Sequence, residues 1–204
     1  KGDIMDGISR YLEELQGVLG ALPFAHIREM ADLLLAANSK GSTIFTLGNG
    51  GSAATASHFA CDLAKGTIVP NHPRFRVVAL TDNLALMTAW SNDVAYDEVF
   101  AAQLENLAHP DDVLIAISGS GNSPNVLRAV EIARGLGMIT VGLSGFSGGK
   151  LRDLVDLPIV VPSDSMQQIE DVHLALCHLM SVVLREELQQ REPSLAQEPS
   201  VLPP

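Results

Sequence analysis

The sequence is poor in basic residues. It carries 13 Lys and Arg against 24 Asp and Glu, a formal net charge of −11 over 204 residues. A protein that coats nucleic acid needs clustered Lys and Arg to neutralise phosphates, so no nucleic-acid partner is expected. One small phosphorylated molecule stays compatible with this charge, because backbone amides and hydroxyls suffice to hold it. Cysteine is scarce too: Cys61 and Cys177 are the only two, and neither belongs to a CxxC pair. They cannot build a disulfide framework and read as reduced thiols of a cytoplasmic protein. No stretch approaches the roughly 20 apolar residues that span a bilayer, so no membrane partner is expected. The opening KGDIMDGISRYLEELQ is acidic and amphipathic, unlike a secretory signal.

Two nucleotide signatures are missing as well. There is no GxxxxGK[ST], and the first glycine-rich turn lacks the third glycine of GxGxxG. What is present is a globular composition, 47% hydrophobic and 18% charged, long enough for one sizeable α/β domain. Five short apolar runs read as strands buried on both faces: Thr43–Leu47, Phe75–Leu80, Asp112–Ser118, Met138–Ser144 and Asp156–Val161. Helical patterns lie between them at Ser52–Ala64, Tyr96–Leu107, Pro124–Leu136 and Gln167–Leu188. Alternating β and α implies a parallel, doubly wound sheet in a three-layer αβα sandwich. Ligands of such sheets bind at the carboxyl ends of strands near a topological switch point.

Two helical patterns, Ile4–Leu19 and Ala21–Asn38, precede the first strand. They either pack on the sheet or build a subunit interface; symmetric oligomers are common, and the interface is the expectation. The domain is expected over residues 1–190. Gln189–Pro204 holds four prolines and no periodicity, so residues 191–204 read as an extended tail.

The chemistry concentrates after the first and third strands. Gly48-Asn49-Gly50-Gly51-Ser52 joins a strand to a helix, where glycines let a ligand approach the backbone and the helix N-terminus favours an anion. Farther along that helix, His58 and Asp62 lie four residues apart on one face. After the third strand, Ser118-Gly119-Ser120-Gly121-Asn122-Ser123 leads into Pro124. Ser123 as N-cap and Pro124 at the first helical position start a helix, so hydroxyls and a helix end converge on a phosphate-sized anion. The last helix carries Glu170 and His178 two turns apart on one line, while His173 sits about 140° round from His178. Two histidines and two carboxylates on two helices can hold a tetrahedral zinc ion. On spacing alone they can equally be ordinary polar positions of amphipathic helices.

GNGGS followed by HFACD, then SNDVAYDEVF at Ser91–Phe100, SGSGNSPN and EDVHLALCH together resemble the SIS (sugar isomerase) domain family. The similarity covers roughly Ile4 to Leu188 and is closest to the phosphoheptose (sedoheptulose 7-phosphate) isomerases. It implies a flavodoxin-like sheet of five strands, two leading helices for oligomerisation and a homotetramer. It implies substrate contacts from Asn49, Gly50, Gly51 and Ser52, from Asn92 and Asp93, and from Ser118, Gly119, Ser120 and Ser123, with Asp62 and Glu170 beside them. It further implies zinc on His58, Asp62, Glu170 and His178, with Asp62 and His178 as the acid/base pair. The reaction implied is interconversion of a ketose phosphate and an aldose phosphate. The chain departs from the family pattern in having Asp62 for a Glu, Glu170 for a Gln, Gly66 for a basic residue and Gln167 for an Asp. Two other readings fit these departures. One is a phosphosugar-binding protein that works through a protein partner without catalysis, of the replication-initiator-associating type. The other is an isomerase for a different sugar phosphate.

Overall fold

In the computed structural model, which describes residues 4–191, five strands form one parallel sheet. They are β1 (Thr43–Gly48), β2 (Arg76–Ala79), β3 (Val113–Ile117), β4 (Ile139–Ser144) and β5 (Leu157–Val160), in spatial order β2-β1-β3-β4-β5. The order reverses between β1 and β3, which is the switch point. Gly48 of β1 pairs with Ile117 of β3, so both strands end level and their following loops start side by side.

The helices are α1 (Ile4–Gly20), α2 (Phe24–Lys40), α3 (Gly51–Cys61), α4 (Leu84–Asp93), α5 (Ala101–Leu107), α6 (Pro124–Gly135), α7 (Gly149–Leu154) and α8 (Met166–Gln190). They cover the sheet on both faces, because β3 buries every side chain in alternation. Val113, Ile115 and Ile117 pack with Met30, Leu34, Phe59, Val172 and Leu176 of α2, α3 and α8. Leu114 and Ala116 pack with Leu104, Val126, Val130 and Leu151 of α5, α6 and α7. Each of these large apolar side chains stabilises the fold by about 1.5–3 kcal/mol.

The expectation of strands buried on both faces holds for β1, β3 and β4. It fails for β2, where exposed Arg76 and Val78 alternate with half-buried Val77 and Ala79, and for β5, which alternates buried and half-buried positions. Both are edge strands, and the ends of the helical layers cover one of their faces more fully than the other. The helix expected over Tyr96–Leu107 is split. A 3₁₀ turn spans Tyr96–Glu98, and α5 starts only at Ala101, because Val99 and Phe100 are drawn fully into the core. Two helices escaped the sequence reading. Helix α4 buries no residue fully, though Met87 and Trp90 pack half-buried against the core, and its apolar residues are spread round the helix so that no stripe stands out; Asn83 caps it by accepting from the Leu86 amide at 3.0 Å. Helix α7 has six residues, too few for a period, and is entered through Gly148 and Gly149 with φ of 95° and 56°.

Helix α1 lies outside the sandwich. It rests on α8 through half-buried Leu15 and Val18 and through Glu14, which accepts from Gln168 Nε2 at 3.0 Å. Its remaining large apolar residues, Ile4, Met5, Ile8, Leu12 and Leu19, are 40–81% exposed. No helix among the described residues is long and apolar enough to cross a membrane. Residues 192–204, most of the expected tail, lie outside the described residues.

Candidate active site

The two loops at the switch point form one cavity, lined by Asn49, Ser52, Ile117, Ser118, Gly119, Ser120, Ser123, Met166 and Glu170. Gly50 turns the chain from β1 into α3 at φ 54°, a conformation that favours glycine. Helix α6 starts at Pro124 as expected, but Ser123 does not cap it with its side chain. Its Oγ instead pairs with Ser118 Oγ at 3.2 Å, which turns a hydroxyl pair toward the cavity. The serine loop is held tightly. Ser120 Oγ accepts from the Asn122 amide at 3.2 Å, and a Cβ on Gly121 would fall 2.0 Å from the Gly148 carbonyl. A Cβ on Gly119 would fall 2.5 Å from Met166 Sδ, so the first turn of α8 closes over the loop. Hydroxyls, loop amides and the N-terminus of α6 can bind a phosphate group there.

Beside this cavity, α3 and α8 bring three polar side chains together. His58 and Asp62, one turn apart, have Nε2 and Oδ2 at 3.4 Å. His178 of α8 places its Nε2 2.8 Å from His58 Nε2 and 3.9 Å from Asp62 Oδ2. Asp62 opens a π-helical turn, Asp62–Gly66, that continues α3. Such turns widen the helix and recur at functional sites. The turn lies against α8 closely enough that a Cβ on Gly66 would meet Ser181 Oγ at 2.7 Å. A larger residue at position 66 would therefore have to displace Ser181. Under the trio, Cys177 is buried, and burial with the nearby charge of Asp62 raises its thiol above the ordinary range. It is held as a neutral thiol and is no nucleophile.

The trio suits a divalent cation. Its three donor atoms lie within 4.8 Å of one another. Zinc with ligands at about 2.0–2.1 Å in tetrahedral array spaces them about 3.3 Å apart. The separations of 2.8, 3.4 and 3.9 Å bracket that spacing, so small side-chain movements accommodate the ion. The expected fourth ligand, Glu170, stands apart from the trio. Eight residues along α8 amount to about 12 Å of rise, and its carboxylate is aimed at the start of α3. A Cβ on Gly51 would sit 2.7 Å from Glu170 Oε2. A carboxylate over the first residue of a helix meets the positive end of its dipole, which accounts for the placement.

Asn49, Ser52, Ser118, Gly119, Ser120, Ser123 and Glu170 thus line one cavity, while Gly50 and Gly51 make the turn between Asn49 and Ser52 without lining it. Asn92 and Asp93 do not line it. They occupy the last turn of α4, exposed and joined to each other by an Asn92 Nδ2 to Asp93 Oδ1 bond of 2.8 Å. Sequence reasoning missed Asn125, Tyr96 and Met166. Asn125 and Tyr96 bond the side chain of Asn49, and Met166 roofs Gly119. Tyr96 lay within SNDVAYDEVF and Asn125 within SGSGNSPN, but nothing in those strings says that both converge on Asn49.

Known proteins are similar to this chain in sequence and share its fold. Residues 10–145 match the SIS domain model. A phosphoheptose isomerase of Trichlorobacter lovleyi is 36% identical over 164 residues, spanning 80% of this chain and 83% of that relative. One of Mycobacterium tuberculosis is 44% identical over 154 residues, spanning 76% and 78%. The structure of a phosphoheptose isomerase from Francisella tularensis superposes with a TM-score of 0.83 at 31% identity, over 91% of this chain and all of that one. The chain belongs to the SIS domain family, on its phosphoheptose isomerase branch, which sets it among the aldose–ketose isomerases.

Proposed function

We propose that this protein interconverts sedoheptulose 7-phosphate and D-glycero-D-manno-heptose 7-phosphate by acid/base catalysis. The observation that carries the reading is the meeting of one carboxylate and two imidazoles, from α3 and α8, beside a hydroxyl-lined anion cradle. The cradle of Ser118, Gly119, Ser120 and Ser123 takes the phosphate. Asn49, Gly50, Gly51 and Ser52 hold the sugar with Glu170 at the edge of the cavity, while Asn92 and Asp93 lie outside it and take no part in it. Asp62 removes the proton from C1 of the ketose while His178 gives one to the C2 carbonyl oxygen, and an enediol results. Asp62 then returns its proton to C2 and His178 takes one from the O1 hydroxyl, leaving the aldose. Such a step needs a base and an acid within reach of adjacent carbons, and the Asp62–His178 separation of 3.9 Å supplies the pair.

His58, Asp62 and His178 would hold zinc in the state in which both imidazole Nε2 atoms are bare, a state distinct from the one in which His178 carries the proton it gives. The ion would supply Lewis acidity toward the sugar oxygens. The supporting observation is the donor set itself, two imidazole nitrogens and a carboxylate oxygen. Residues 1–190 act as one SIS unit, working as a cytoplasmic homotetramer. The exposed Ile4, Ile8, Leu12 and Leu19 support an assembly contact along α1, since single exposed apolar residues are ordinary but a row on one helix is not. Light scattering tests that contact: a mass near the 21.7 kDa of one chain would remove it. The activity test is incubation with sedoheptulose 7-phosphate and analysis of the products. An aldose phosphate is expected. Binding without product would favour the non-catalytic phosphosugar-binding reading, and turnover of another ketose phosphate alone would change the substrate.

A further inference from the structure

Asn49 is the most heavily bonded side chain of the cavity. Its Oδ1 accepts from Asn125 Nδ2 at 2.9 Å and from Tyr96 Oη at 2.9 Å. Its Nδ2 donates to Asn125 Oδ1 at 2.8 Å. A carboxamide has two acceptor lone pairs and two N–H donors. Both lone pairs of Asn49 and one of its N–H groups are therefore engaged within the protein. One N–H remains, on a residue that lines the cavity.

The partners are themselves fixed. Asn125 is 1% exposed, in the first turn of α6. Tyr96 opens the 3₁₀ turn whose other end, Glu98, bonds Arg128 Nε at 3.0 Å. Arg128 stands three residues after Asn125 on α6, so one helix holds both ends of the arrangement. The reciprocal amide pair prevents Asn49 from rotating end over end by itself, because an amide turned alone would face oxygen with oxygen and nitrogen with nitrogen, and the Tyr96 hydroxyl donating to Oδ1 favours the present sense of the pair.

We propose that Asn125 and Tyr96 are positioning residues that lock the Asn49 amide as a single hydrogen-bond donor, so that it reads an acceptor oxygen of the sugar phosphate. This rests on the phosphosugar reading of the cavity and adds to it the polarity of one contact. A hydroxyl lone pair, carbonyl or phosphate oxygen satisfies the lone N–H. A group that can only donate finds no acceptor there and leaves its own hydrogen bond unmade.

The test uses the full chain and two readouts. In the substrate-free protein, the Asn49 and Asn125 side-chain amide protons should exchange slowly by NMR, and Tyr96→Phe should speed exchange at Asn49. Exchange at Asn49 as fast as at an exposed Asn would overturn the proposal, whatever the substrate. Binding of sedoheptulose 7-phosphate is then measured by calorimetry for the wild type and for Asn49→Asp, Asn49→Ala and Tyr96→Phe. Asn49→Asp removes both N–H groups but also adds a negative charge, so the uncharged Asn49→Ala is read beside it, and both should weaken binding by about tenfold or more. Undiminished affinity in Asn49→Ala would overturn the donor assignment. Tyr96→Phe should weaken binding about threefold in the wild-type background and not at all in Asn49→Ala. An equal loss in both backgrounds would mean that Tyr96 touches the ligand itself and positions nothing. Protected amides in a wild type that binds no phosphosugar would overturn the functional reading while leaving the lock in place.

Discussion

The imidazole of His58 meets that of His178 edge to face, with Nε2 atoms 2.8 Å apart and ring planes at 79°. A hydrogen bond between two Nε2 atoms needs one of them protonated and the other bare. A metal ion needs both bare, together with an oxygen of Asp62. Removing either ring therefore breaks the proton-bridged pair and the ligand set alike. His178→Ala is expected to lower zinc content of protein purified without chelator by at least about tenfold, with turnover falling in parallel. Elemental analysis beside a product assay checks this. Zinc retained at one per chain in the variant would mean that the trio is not the binding site.

Asp62→Asn separates chemistry from fold. Asp62 is partly exposed and, among the described residues, its carboxylate pairs with the two histidines, and an amide of equal size fills the same space. The amide cannot accept the proton from the sugar carbon. Turnover is expected to drop by about 10²–10⁴-fold, the range for loss of a general base. Thermal unfolding should shift by no more than a few degrees, since the removed contacts are half in solvent. Turnover within threefold of wild type would remove Asp62 from its catalytic role.

Glu170 brings a negative charge into the cavity proposed to take the phosphate, beside Ser118, Ser120 and Ser123. Its carboxylate is tolerated because it lies over the first residue of α3, but it repels a phosphorylated sugar. Glu170→Gln keeps the length and the hydrogen-bonding oxygen. Phosphosugar affinity is expected to rise by about 1 kcal/mol, or about fivefold, and the gain should shrink as salt is raised. Calorimetry at two ionic strengths measures it. Weaker binding by the variant at both would mean that the carboxylate contacts the sugar directly and favourably.

The parts of this architecture that were legible in the sequence are those encoded locally. GNGGS and SGSGNSP each hold turn, cap and helix start within a few residues, and His58 and Asp62 are one turn apart by number alone. The parts that stayed hidden depend on distant partners. Asn49 and Asn125 are 76 residues apart, and no local pattern marks an amide that will be met by another amide. Helix α4 is apolar nearly all round from Leu84 to Trp90 while only Met87 and Trp90 pack on the core, so periodicity had no contrast to detect. The spacing of Glu170 and His178 put them on one face but could not say that the π-helical turn and the start of α3 would draw them to different neighbours. Edge strands β2 and β5 read like central ones, since an apolar run does not report whether a second helix covers it.

His173 gives the fold an acid limit. It is 1% exposed on α8, its Nε2 lies 3.2 Å from the Ser144 carbonyl, and its Nδ1 has no partner among the described residues. With Nε2–H donating to Ser144, the ring is neutral and its second nitrogen is bare. Burial pushes the imidazole down from 6.5 to about 4, against the opposing pull of the Ser144 carbonyl. The folded value is the lower one, so the unfolded chain binds the proton first as pH falls. The stabilising difference is complete above about pH 6.5 and is lost progressively down to about pH 4. At about 1.4 kcal/mol per pH unit, the loss across that window is about 3 kcal/mol. His173→Gln preserves a donor for Ser144 and does not titrate. It should be less stable than wild type at pH 7.5 by about 1 kcal/mol, and it should lose this part of the pH dependence. Urea midpoints at pH 7.5, 6, 5 and 4 measure both effects. The wild-type and variant curves are expected to converge and then cross between about pH 6 and pH 5, and parallel curves would show that His173 is not buried in its neutral form.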